Sequence, residues 1–139
     1  MTQSNKELLL RDLCGRLQYG VKCQVQEDEY IYIGTLCRIE VDNKNGNLLD
    51  FVETISGLDC QVYLTEIKPY LFSMSSMTEE QKSEFFARFI ELELKYLNGK
   101  IKHYEIAQFE IDFYNKKHLD YRGLIPKELA LDATGLNIY

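Results

Sequence analysis

Histidine is scarce in this sequence: there are 2 among 139 residues, His103 and His118, and no G-x-S-x-G elbow accompanies either. Nucleophilic catalysis needs a nucleophile, a base to activate it and a group to orient the base. One triplet, His118-x-Asp120, offers an imidazole beside a carboxylate. A surface histidine at a helix C-terminus, favoured by the helix dipole, accounts for it equally well. The 8 glycines are isolated, with neither G-x-G-x-x-G nor G-x-x-x-x-G-K-[ST] among them, which argues against phosphate cradling and nucleotide chemistry.

The 4 cysteines, Cys14, Cys23, Cys37 and Cys60, form no C-x-x-C or C-x-x-H motif. They read as reduced thiols and not as a zinc or disulfide framework, with Cys23 and Cys37 on the apolar parity of strands. The loop opening at Asp42 does reach a carboxylate, Glu53, at the twelfth position of a calcium-loop count. Lys44 and Gly46 stand where ligands are required, so that reading fails. Carboxylate pairs such as Glu91/Glu93 and Glu110/Asp112 are two apart and fall on different helix faces. No catalytic residue, metal or cofactor is expected.

An excess of positive charge is also missing. The formal net charge is −6, and the acidity is spread along the chain without an acidic tail or a basic arm. Such a field repels nucleic acid unless a local patch overcomes it. The nearest approaches, Lys100/Lys102/His103 and Lys116/Lys117/His118, sit beside acids and read as solvated helix ends. Apolar runs are broken by charge well short of the ~18 residues a spanning helix needs. The first residues lack the basic and apolar regions of a secretory signal, so the expectation is a cytoplasmic protein with no membrane segment. With 45% hydrophobic and 12% aromatic residues, the chain has enough apolar surface for a core.

Periodicity supplies the elements. Ser4-x-x-Glu7 suggests a capping box, followed by Leu9, Leu10, Leu13 and Leu17 at helical spacing. After Tyr19-Gly20 the period becomes two: Val21, Cys23 and Val25 alternate with polar residues. The acidic triplet Glu27-Asp28-Glu29 marks a turn. From Ile31 to Val41 the odd positions read as core-facing and the even ones as outward, with a bulge expected at Gly34. Asn45-Gly46 signals a hairpin, Leu48–Val52 the return strand, Ser56-Gly57 a further turn and Gln61–Ile67 another strand. Lys68-Pro69-Tyr70-Leu71-Phe72 is expected to leave the sheet, since proline removes a ladder donor. Thr78-x-x-Gln81 caps a second helix that Asn98-Gly99 ends, and a third helix covers about Tyr104 to Lys116.

These elements predict an α+β fold: an N-terminal helix, a small curled antiparallel sheet, and a C-terminal antiparallel helical pair with a docked tail. The specific expectation for the sheet is an SH3-like barrel. Residues 1–139 read as a single domain, with a subdivision into 1–72 and 78–139. The second helix carries a wide apolar face of Phe85, Phe86, Phe89, Ile90, Leu92 and Tyr96, and the pair should pack on the sheet or on a second subunit.

The run Asp112–Lys127, with Leu8–Cys14 and Ile67–Phe72, resembles segments of small hypothetical proteins from gut Bacteroidales and their phages. The resemblance carries no activity. It implies a bacterial or phage origin, in the cytoplasm and on a mobile element. Two groups of residues are candidates for binding. Tyr30, Tyr32 and Arg38, on the expected outer parity of a strand, could anchor a protein or stack on single-stranded bases. Alternatively, the helical pair covers them. Asp120, Tyr121 and Arg122 are the second group, with Arg122 locking the tail through an acid as the structural alternative. The functional expectation is a non-catalytic protein-interaction module with a protein partner. Nucleic-acid association and a small hydrolase at His118/Asp120 are the alternatives, and homo-oligomerisation is left open.

Overall fold

The computed structural model describes residues 1–42, 46–53 and 59–139. Helix α1 spans Gln3–Arg16 and starts earlier than the Ser4 box implies, because the Thr2 hydroxyl accepts the Asn5 N–H at 3.2 Å. Its Leu9 and Leu13 are fully buried, as the leucine spacing predicts. Strands β1 (Lys22–Glu27), β2 (Tyr30–Asp42), β3 (Gly46–Glu53) and β4 (Asp59–Tyr63) form an antiparallel meander. The β1–β2 turn falls on the acidic triplet, where Asp28 takes a positive φ of 51° that a short polar side chain tolerates. The expected Asn45-Gly46 turn falls partly, and the Ser56-Gly57 turn wholly, outside the described residues.

Strand β2 corrects the expected parity. The register shift lies between Leu36 and Arg38, so the bulged residue is Cys37 and not one at Gly34. Before the bulge, Tyr32 and Leu36 face the core while Ile31 and Ile33 are exposed; after it, Ile39 packs inward. The extra residue lets Leu36 and Ile39 share a face although three positions separate them. Cys37, expected in the core, is exposed, whereas Cys23 is buried as expected.

Residues 67–71 do not leave the sheet. They form strand β5 (Ile67–Leu71), antiparallel to β1 with Pro69 opposite Cys23. On the other side of β5, the two-residue β6 (Leu131–Asp132) pairs in parallel with Tyr70 and Leu71 only, so Pro69 lies where that neighbour has not begun. The strand order is β4-β3-β2-β1-β5-β6. The sheet is open, with β4 and β6 at its edges. It is also curled. In a flat sheet β4 and β5 would lie four strand spacings, ~19 Å, apart. Yet one short turn at Leu64–Glu66 joins them, reaching ~14 Å at most.

One face of this sheet is covered by Leu9 and Leu13 of α1 and by Leu124, Leu129 and Ala130 of the tail. Helix α2 (Glu79–Leu97) begins with the expected capping box: Thr78 Oγ1 accepts the Gln81 N–H at 3.1 Å, and Gln81 Oε1 accepts the Thr78 N–H at 3.0 Å. It ends at Asn98-Gly99, where Gly99 has a φ of +69° and Lys100 N–H donates back to the Lys95 carbonyl at 2.9 Å. Helix α3 spans His103–Lys116. The helical pair closes around its own aromatic cluster, in which Phe85 meets Phe89, Phe109, Phe113 and Tyr114 at centroid distances of 5.2–5.8 Å. No described helix is long and apolar enough to cross a membrane.

Candidate interaction surfaces

The tail is anchored by a buried polar knot. Asp12 and Arg16, one helical turn apart on α1, are both fully buried and paired in bidentate fashion, Nε to Oδ2 at 2.7 Å and Nη2 to Oδ1 at 3.0 Å. Arg16 Nη2 also donates to the Leu119 carbonyl at 2.7 Å, and Nη1 reaches the Tyr114 carbonyl at 3.5 Å. The guanidinium therefore ties α1 to the last turn of α3 and to Leu119, three residues beyond its end. That end is closed by Leu119 N–H donating to Tyr114 O and His118 N–H donating to Asn115 O. His118, with a φ of +56°, occupies the left-handed position usually given to glycine.

The three tail candidates converge here. Asp120 receives the Leu124 N–H on Oδ1 at 2.7 Å and the Ile125 N–H on Oδ2 at 2.8 Å. The Tyr121 ring lies between two cations, 5.5 Å from the Arg16 guanidinium carbon and 4.8 Å from that of Arg122. Arg122 Nε is 3.4 Å from Asp12 Oδ1, near enough for charge attraction but without a hydrogen bond. Sequence reading singled out Asp120, Tyr121 and Arg122 but passed over Asp12 and Arg16. The available signal was an i,i+4 acid–base pair sharing a face with Leu9 and Leu13.

His118 is a correction. It is buried, not a surface residue, and its ring stacks on Tyr139 at 3.9 Å. Burial, and then the positive Arg16, push its pKa down to about 4, so it is neutral at pH 7. Its Nδ1 has no hydrogen-bond partner. A base that weak is poorly matched to proton abstraction near neutrality. Among the described residues, no group of three or more His, Cys, Asp or Glu could hold a metal ion.

The Tyr30/Tyr32/Arg38 candidate divides. The two tyrosine rings stack at 6.3 Å, with Tyr30 67% exposed. Arg38 follows the bulge and falls on the opposite face, with its Nε 3.3 Å from Glu40. Tyr32 packs against the core formed by α1 and the tail, not beneath the helical pair. On the outer face, a polar cleft of about 290 Å³ is lined by Gln24, Gln26, Asp28, Thr65, Glu66, Lys68 and Leu131.

An exposed apolar surface lies on α2. Phe85 and Phe89 turn inward to the aromatic cluster with α3 and Leu92 is buried, but the same helix carries a second apolar line on its far side. Phe86, Ile90, Leu94 and Leu97 are 54%, 57%, 56% and 75% exposed. Their spacing of four, four and three residues keeps them on one stripe, which the intrahelical pairs Arg88–Glu91 (2.8 Å) and Lys95–Glu91 (3.0 Å) border. The wide face expected for α2 is thus two faces, one packed and one outward. The chain matches no protein-family model, no curated protein and no solved structure.

Proposed function

We propose that this chain is a non-catalytic protein-interaction module that receives its partner on the outward stripe of α2. The observation carrying the reading is that stripe: four large apolar side chains, each more than half exposed, in continuous helical register. A monomer leaves single apolar residues on its surface without consequence, but a contiguous rank of them marks an interaction site. Helix-in-groove and helix-on-helix recognition use this i, i+4 spacing of anchors. The curled sheet, with its 3₁₀ turn between β4 and β5, reads as an SH3-like scaffold that has opened. The resemblance to proteins of gut Bacteroidales and their phages extends the proposal to a cytoplasmic accessory protein acting on a host protein.

The test is affinity capture with the tagged chain and with an Ile90→Glu variant, each with and without nuclease. The reading expects a stoichiometric protein that survives nuclease and is lost with Ile90→Glu. Capture unaffected by the substitution would overturn it. The stacked Tyr30/Tyr32 pair favours a second reading, sequence-tolerant stacking on single-stranded nucleic acid, against the −6 net charge. That reading expects capture that vanishes with nuclease and with Tyr30→Ala.

A further inference from the structure

We propose that the partner seated on the α2 stripe is a second copy of this chain, with the two α2 helices antiparallel about a two-fold axis at Ile90. This deepens the preceding proposal and rests on it. Three properties of the helix point to the same arrangement.

The first is period. Ser83, Ala87, Ile90, Leu94 and Leu97 recur at alternating steps of four and three, the seam of a two-helix coil. Leu92, which serves the internal core, falls on the opposite side of that seam.

The second is size. The seam is small at its N-terminal end (Ser83, Ala87) and large at its C-terminal end (Leu94, Leu97). A parallel pair would set small against small at one end, leaving a gap there, and large against large at the other. With the axis at Ile90, Leu97 meets the second copy's Ser83, and Leu94 meets its Phe86 and Ala87. Packing large against small fills the seam at constant width.

The third is charge. The first turn of α2 carries Glu79 and Glu80, while Lys100 and Lys102 follow its last turn. All four are exposed. An antiparallel pair brings the acidic first turn of each α2, where Glu79 also pairs with Lys82 at 2.9 Å, toward the end that Lys100 and Lys102 follow in the second copy. It also opposes the two helix dipoles. A parallel pair would place like charges together at both ends. A self-complementary patch is what a two-fold interface requires, since each contact must occur twice.

Sedimentation equilibrium of the full chain across the micromolar range tests the proposal, with circular dichroism to check that each variant is folded. The expected mass is twice the 16.3 kDa of one chain. Ile90→Glu, an exposed substitution that leaves the core untouched, should give a folded monomer. Glu80→Lys and Lys100→Glu should each weaken the dimer, by about tenfold, and the double reversal should restore it. A monomer at every concentration overturns self-pairing. If Ile90→Glu still abolishes nuclease-resistant capture of a different protein in that case, the docking reading survives and only this occupant falls. A dimer indifferent to Ile90→Glu places the interface elsewhere, and a double reversal that fails to restore pairing overturns the antiparallel arrangement. If Ile90→Glu changes neither mass nor capture, both readings fail.

Discussion

Removing the Asp12 carboxylate strands the Arg16 guanidinium in a site where neither side chain reaches solvent. An uncompensated buried charge is far more costly than a missing pair. Asp12→Ala should therefore destabilise the protein by about 3–5 kcal/mol, measured by urea unfolding. Asp12→Leu with Arg16→Met should recover only part of that loss. The pair itself is replaceable, but the Tyr114 and Leu119 carbonyls would each lose one of two donors, keeping only the Leu119 and Tyr121 N–H groups.

His118 makes a separate contribution that depends on pH. Its folded pKa is about 4, below the ordinary value of 6.5, so between those values the unfolded chain binds the proton and the folded chain does not. The stability this provides is complete above about pH 6.5 and is lost as pH falls toward 4. Allowing for the part of the ring still near solvent, it amounts to about 2 kcal/mol. Urea titrations near pH 7 and near pH 4.5 should show wild type losing about that much more than His118→Gln.

At this scale the sequence was legible where a residue's own period decided its place, as for Leu9, Leu13 and Cys23. It was illegible where partners come from far along the chain. Nothing local to Arg16 announces carbonyls 98 and 103 residues away. Nothing local to His118 announces that a buried ring will take a left-handed position that glycine usually fills.

Among the elements, α1 and α3 approach each other closely at Gly15. A Cβ there would stand 2.9 Å from Asn115 Nδ2. Asn115 is itself buried and has little room to retreat. Gly15→Val should cost about 2–3 kcal/mol through overpacking, read from the urea midpoint. Adding Asn115→Ala should return about 1 kcal/mol of it, since two residues in contact do not act additively. By propensity Gly15 only weakens the last turn of α1; its reason is the neighbour it lets approach.

Element existence was legible for α1 from its leucine spacing, for α2 from its capping box and for the meander from its alternation and turn residues, because these signals act locally. The facing of β2 was not. Alternation in Ile31, Ile33, Thr35, Cys37, Ile39 and Val41 is unbroken in sequence, and a bulge resets the parity midway without leaving a mark. Pro69 misled for a related reason: it excludes a strand flanked along its whole length, but β6 flanks β5 only from Tyr70 onward. The two faces of α2 were present in the pattern as two stripes, and only the packing of Phe85 against α3 shows which is already occupied.

At the scale of the molecule, the tail joins parts that local structure leaves separate. After α3 it bridges to Phe72, with Phe72 N–H donating to the His118 carbonyl and Asp120 N–H to the Phe72 carbonyl, both at 2.8 Å. It then fills the sheet core with Leu124 and Leu129 and adds β6 alongside β5. Tyr139 completes the path: its hydroxyl donates to the Tyr70 carbonyl at 2.7 Å and accepts the Lys22 N–H at 3.0 Å, while its ring stacks on His118. Burial pushes that hydroxyl's pKa up, so it keeps its proton and its donor role across the neutral range. A docked tail was legible as an expectation, but its route was not, because the hydrogen bonds that tie it to the sheet join residues 46 to 117 positions apart. Contacts that distant close the largest loops, and the entropy of closure is offset only once the sheet and helices are in place. Tyr139→Phe removes the hydroxyl alone, leaving one N–H and one carbonyl unpaired, and should cost about 1–2 kcal/mol. The long separation of these partners predicts that their bonds form after the folding barrier, so the loss should fall on the unfolding rate, raised about tenfold, with the folding rate unchanged. Stopped-flow chevrons of the two proteins check this; a slowed folding arm would mean that the tail docks before the sheet is complete.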